Sequence, residues 1–276
     1  MNTSLTPRLN LNLVLGFSLV GFLALLTLVS FVYLPYDVNE MNAAARYQGP
    51  SAGHWLGTDN FGRDILSRVM HGGRTAFLVG TLAVSIGLFF GTLVGGTAGY
   101  LGGWVDELFM RLMDGLLAFP GLITALIVIA LVGPGTFNTA IAIGIMSVPA
   151  ISRIARSGFL QYKTIDFVQA ARTIGVPTWQ IMFRHILPNV ASSLVIAGSL
   201  TFGGAILTEA SLSYLGLGVQ LPDPSWGRML REAQGYFTRN PWATLGPGIA
   251  ITLMVLGFYL LGNGTRDALQ QKESHL

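Results

Sequence analysis

Charged residues leave long stretches of this chain empty and gather between them. Leu11–Leu34 lies uncharged between Arg8 and Asp37, and Thr75–Tyr100 between Arg74 and Asp106. No charge occurs from Asp114 to Arg153, a run too long for one crossing, and Gly133-Pro134-Gly135 divides it because Pro and Gly end helices. The division predicts one helix near Glu107–Val132 and another near Phe137–Ile154. Two more apolar segments cover Asn189–Leu215, whose one charge is Glu209, and Ala243–Gly262. About 20 apolar residues in a helix cross about 30 Å of hydrocarbon, so the pattern predicts six membrane spans with both termini on one side. The first apolar core is longer than the roughly 7–15 residues of a signal peptide, which favours an uncleaved span.

Between the fourth and fifth runs lies the loop 155–188, and residues 169–189 form a polar, helix-prone island. Thr164 or Asp166 is placed to cap a short helix through Gln169–Ile174, by accepting from a free backbone N–H. Gly175 suits the left-handed residue that stops it, and Pro177 the first turn of the next helix. That second helix runs to about Leu187, where Pro188 cuts it. Phe167, Val168, Ala171, Ile174, Ile181, Met182 and Ile186 are too apolar for so short a hairpin to bury alone, so it is expected to seek a partner's groove.

Two other connections are long and patterned. In residues 35–73, the Arg63–His71 stretch reads as a short amphipathic helix with Ile65, Leu66, Val69 and Met70 on its apolar side. It suits either a docking or gating element, or a helix lying in the headgroups with Arg63, Asp64 and Arg68 there. Residues 216–241, with Trp226, Arg228, Arg231 and Glu232, lean to docking or gating, since Trp and Arg anchor interfaces. Asp59, Arg63, Asp64, Trp226 and Arg228 are the docking candidates. Gly87, Gly91, Gly95 and Gly99 leave one stripe of the second span bare for close approach, by a helix of this chain or of another subunit.

The composition agrees with a membrane location. Of 276 residues, 51% are hydrophobic and 11% charged, against about 25% charged in soluble domains, and mean hydropathy is +0.58. Cysteine is absent, which excludes disulfides and thiolate chemistry. The net charge of +3 is too small and dispersed to argue for nucleic acid. His54, His71, His185 and His275 are not at metal-ligand spacing, so no metal site is expected. No phosphate loop G-x-x-x-x-G-K-[ST], H-E-x-x-H or G-x-S-x-G occurs. Ionisable groups inside spans default to function. Glu209 in the fifth span has no evident partner and is a pore or gating candidate, as is Asp114, although Arg111 one turn away offers it a neutralising pair. Pro120 and Pro149 are expected to kink the third and fourth spans. Positive charge is only weakly biased between the loops: Arg8, Arg156, Lys163, Arg172, Arg184, Arg266 and Lys272 fall on one side, and Arg46, Arg63, Arg68, Arg228, Arg231 and Arg239 on the other.

Residues 169–189 carry a family resemblance. Ala170, Ala171, Gly175, Leu187 and Pro188 fall at the spacing of the "EAA" loop of ABC-importer permeases: Glu-Ala-Ala, three residues, Gly, nine residues, Ile, any residue, Leu-Pro. Gln169 stands where Glu is usual and His185 where Ile is usual. His185–Asn189 resembles the dipeptide/oligopeptide/nickel branch, as do Leu56–Arg68, Leu212–Gly218 and Pro224–Gly227. The resemblance covers about Leu34 to Asp267. It implies an all-α polytopic membrane protein with the type I ABC importer permease fold. Residues 1–73 would be an N-terminal span plus extracytoplasmic loop, 74–266 the five-span core with its cytoplasmic coupling loop 155–188, and 267–276 a cytoplasmic tail.

The implied activity is ATP-driven import through half a pore, in a bacterial or archaeal cytoplasmic membrane with both termini inside. The implied partners are a second homologous permease forming a heterodimer, two ABC ATPases that bind ATP and Mg, an extracytoplasmic solute-binding protein and lipid. This chain itself would carry no cofactor and no catalytic residue. The implied coupling residues are Gln169, Ala170, Ala171, Arg172, Gly175, Arg184, His185, Leu187 and Pro188, with Arg172 or Arg184 supplying the charged contact that Gln169 does not. Peptides are the first substrate reading, nickel or a metal–chelator complex the second. A secondary transporter is a more distant alternative, and usually needs more spans or an inverted repeat; a membrane enzyme is more distant still.

Overall fold

The computed structural model describes residues 10–273, with side chains to residue 270; Arg8 and His275 lie outside the described residues, as do residues 274–276 of the expected tail. The helices are α1 (Leu11–Ser30), α2 (Ile65–Leu101), α3 (Gly103–Leu117), α4 (Gly121–Val132), α5 (Thr136–Tyr162), α6 (Asp166–Thr173), α7 (Thr178–Gln180), α8 (Leu187–Leu215), α9 (Trp226–Ala233) and α10 (Trp242–Glu273). A π-helical turn, Ile181–Ile186, joins α7 to α8. Five segments are long and apolar enough to cross a membrane.

The third expected span, Glu107–Val132, is broken. α3 and α4 meet at 92° across Ala118–Pro120, so Pro120 ends one helix and caps the next instead of kinking a continuous one. Its ring excludes the helical N–H bond and pushes the preceding residue out of the α region. Pro149, by contrast, sits inside uninterrupted α5.

Two helix boundaries also move. The expected amphipathic helix at Arg63–His71 is the first turns of α2, whose 37 residues run about 55 Å at 1.5 Å per residue. The fourth span continues past Arg153 and Arg156 to Tyr162. The domain boundaries at 73/74 and 266/267 fall within α2 and α10, so neither marks a break in the backbone.

The glycine stripe has an internal partner. A Cβ on Gly95 would lie 2.0 Å from the Ser152 carbonyl oxygen, on Gly91 2.7 Å from Ile151, and on Gly99 2.6 Å from the Arg156 carbonyl oxygen. α2 and α5 therefore pack backbone to backbone along their length, and dispersion gains from that closeness. α1 packs on α10 by the same device, with Gly16 against Leu261 and Gly257 against Val20.

Apolar side chains gather in three clusters. One joins α2, α8, α9 and α10 around Trp226, Ile206 and Met254. One joins α2, α4, α5 and α8 around Val79, Ile143 and Leu212. The third, at the far end of α2, surrounds Ile151, Phe159, Ile181 and Ile186.

Candidate functional site

Two polar assemblies sit at opposite ends of α2. At its C-terminal end is the α6–α7 hairpin. Gly175 has φ +79°, Val176 N–H bonds Ala171 O at 3.0 Å and Gly175 N–H bonds Arg172 O at 3.1 Å. This pair of bonds is a Schellman stop, which needs a left-handed residue at Gly175. Ile165, with no side-chain bond, occupies the helix cap, so neither Thr164 nor Asp166 caps α6.

Pro188 does not cut the second helix. Leu187 N–H reaches Met182 O, a bond spanning five residues, and the widened turn carries the chain from Thr178 to Leu215 as one rod. A proline ring clashes with the carbonyl four residues earlier in a regular helix; the π turn over Ile181–Ile186 is where the rod absorbs this.

The hairpin has two apolar faces. Val168, Ala171, Ile181, Met182 and Ile186 are buried against Tyr100, Ile151, Ala155 and Phe159, so the chain itself covers most of the residues expected to need a partner. Ile174 (80% exposed) and Trp179 (65%) stand clear, with Phe167 and Phe183 also exposed. Trp179 and Phe183 are absent from the expected list; their spacing of four was the available signal. Gln169, Ala170, Arg172, Gly175, Arg184 and Pro188 are exposed beside this crest, while His185 and Leu187 are half-buried. Gln169 Nε2 donates to Lys163 O at 3.0 Å, and the Arg172 guanidinium lies 5.5 Å from the Tyr100 ring centre.

Ion pairs brace α3 against α5. Arg156 donates to both Asp106 oxygens at 2.5 and 2.6 Å, a pair the sequence reading missed. Asp114 is held by Arg153 at 2.6 Å, and Arg111 by Glu107; the expected Arg111–Asp114 pair does not form.

At the other end of α2, residues 35–64 fold onto α9 as a platform. Asp59 takes the backbone N–H of Phe61 and of Arg63 on Oδ1. Arg63 donates to Asp59 Oδ2 and to Glu232 Oε2, each at 2.6 Å. Arg68 adds a bond to Glu232 at 3.1 Å, and Arg228 another at 3.0 Å. Burial pushes the Glu232 carboxyl up, but Arg68, Arg63 and Arg228 outweigh it and hold the group below its ordinary value. Burial, reinforced by Asp59, raises the Tyr236 hydroxyl to about 12. Asp64 caps α2 by accepting from Ser67 N–H at 2.7 Å, and bonds His54 Nδ1 at 2.9 Å. Trp226 Nε1 donates to Val69 O at 2.9 Å.

Four of the five expected docking residues are therefore interior. Asp59, Arg63, Asp64 and Trp226 are 2–5% exposed and build the platform rather than present a surface; only Arg228 is half-buried. Nor do Arg63, Asp64 and Arg68 lie in headgroups. Glu209 also has an internal partner: it is 1% exposed and accepts from Ser213 Oγ at 2.7 Å. Ser213 Oγ in turn accepts Val219 N–H at 3.1 Å, so this carboxyl holds the turn after α8.

The family of binding-protein-dependent transport system inner membrane components matches residues 87–275. The chain belongs to this family. It is a multi-pass membrane protein and a transport component. It is 45% identical to a dipeptide transport system permease protein from Alkalihalophilus pseudofirmus, over 84% of this chain and 77% of that one. It is 44% identical to a glutathione transport system permease protein from Pectobacterium atrosepticum, over 91% and 85%. An inward-facing structure of the MetNI methionine ABC transporter superposes with a TM-score of 0.56 at 19% identity, covering 72% of this chain and 93% of that one. The fold is that of a type I ABC importer permease.

Proposed function

We propose that this chain forms half of the translocation pore of an ATP-driven importer of di- or oligopeptides. The exposed crest Phe167–Ile174–Trp179–Phe183 carries the reading: its hairpin is already packed on α2, α5 and α8 yet offers a second apolar face. An ATPase groove seated there would push a preformed rod that runs from Thr178 to Leu215. ATP and Mg belong to that separate subunit. The hairpin then faces the cytoplasm, as do both termini, and the platform faces outward to a solute-binding protein. A second homologous permease completes the pore. The dipeptide and glutathione relatives support peptide over nickel or a metal chelate.

The test is reconstitution with the second permease, two ATPases and binding protein in proteoliposomes. ATP-dependent uptake of labelled dipeptide is expected. Uptake driven by an ion gradient without ATP, or uptake of nickel in place of peptide, overturns the reading.

A further inference from the structure

The platform neutralises its interior, and its exposed charges, Arg46 and Arg239 as well as Asp37 and Glu40, stand outside that network. Asp59, Asp64 and Glu232 are each engaged by Arg63, Arg68, Arg228 or His54. Arg46 and Arg239 are exposed, and among the described residues neither makes an ion pair. They come from two loops far apart in sequence and converge on one ring. The Arg239 guanidinium lies 4.2 Å from the Tyr47 ring centre, and that of Arg46 5.8 Å.

The ring itself is held. Tyr47 is the only non-glycine residue among those described with positive φ, at +59°, a conformation disfavoured for a bulky side chain and kept only when its surroundings impose it. Tyr47 N–H bonds Asp59 O at 3.0 Å, and its ring meets Tyr236 edge-on at 5.3 Å. Arg46 spends its Nε on Asn60 O at 2.5 Å, which leaves its terminal nitrogens free. Two guanidinium groups are thus gathered at one fixed aromatic ring, and such forks match carboxylates.

We propose that Arg46 and Arg239, gathered at the Tyr47 ring, form the contact for an acidic face of the solute-binding protein. This rests on the importer reading, which places the platform outside the membrane. The patch sits at the end of α2 remote from the hairpin, so the ATPases do not reach it, and Arg and Tyr on a rigid frame are the residue types that carry binding energy at interfaces.

The experiment measures ATPase activity of the full complex in proteoliposomes against binding-protein concentration and salt. For the double variant R46E/R239E the half-saturating concentration is expected to rise at least about tenfold, with a flatter salt dependence and little change in maximal rate, because charges at an interface act chiefly on encounter. The milder R46Q/R239Q is expected to shift the same way by less, which separates a lost contact from a damaged fold. Half-saturation and salt slope equal to wild type in both variants overturn the proposal and leave the importer reading standing. Absence of any response to binding protein in the wild-type complex overturns the importer reading itself. A defect that follows the phosphatidylglycerol content of the vesicles rather than binding-protein concentration makes the patch a lipid contact and also overturns the proposal.

Discussion

Arg63 and Glu232 lie 169 positions apart and meet at 2.6 Å. The bond fastens the N-terminal loop to α9, and Glu232 is also the acceptor for Arg68 and Arg228. One carboxylate thus organises three guanidinium groups, two of which are buried.

Removing that carboxylate is expected to cost about 3 kcal/mol, because a buried charge that loses its partner keeps its desolvation penalty. Glu232→Ala should lower the thermal midpoint of the purified permease in detergent, whereas Asp114→Asn, at an exposed pair, should leave it unchanged. Equal midpoints for Glu232→Ala and wild type would show that the network contributes nothing.

The same carboxylate makes the platform acid-sensitive. Its folded value is depressed below the ordinary 4.5, so its stabilisation is fully present above 4.5 and is lost as pH falls through the lower folded value. Thermal midpoints should therefore decline on acidification below 4.5, with a shallower decline in Glu232→Gln. Parallel declines would assign the acid sensitivity elsewhere.

Gly95→Ala should disrupt the α2–α5 contact. Its new methyl would sit 2.0 Å from a backbone oxygen, Ser152 O, while Gly204 has nothing within 4 Å. Overpacking costs about 1–3 kcal/mol, whereas alanine in an open helical position gains about 1 kcal/mol over glycine. Yield of monodisperse permease is expected to fall for Gly95→Ala and to hold for Gly204→Ala. The reverse order would refute the backbone contact.

At the hairpin, Gly175→Val is strained by the φ of +79° and meets no neighbour within 4 Å. The penalty of about 1–2 kcal/mol should fall on the turn and spare the spans. Gly175→Val, Trp179→Asp and Arg172→Glu are each expected to assemble but to lose peptide uptake relative to ATP hydrolysis. Wild-type uptake per ATP in all three would remove the hairpin from coupling.

The runs poor in charge located the spans because a charge in hydrocarbon is costly, and that rule acts on each segment by itself. Gly175 was readable for the same kind of reason: a left-handed stop is a local backbone requirement. The break at Pro120 was not readable, because a proline within an apolar run is compatible with either a kink or a turn, and the choice depends on what packs beside it. Pro188 shows the converse, where packing carries the helix through a residue that locally ends it.

The sequence alone determined the helical class, the apolar segments and the polar hairpin, since lipid and backbone geometry enforce these residue by residue. Only the tertiary structure decided which charges are interior. Arg63 and Trp226 look like surface residues when read singly; their burial depends on Glu232 and Val69, which chain folding brings to them from a distance. The same closure left Arg46 and Arg239 outside it, and gave the hairpin its split between a face this chain covers and a face it leaves open.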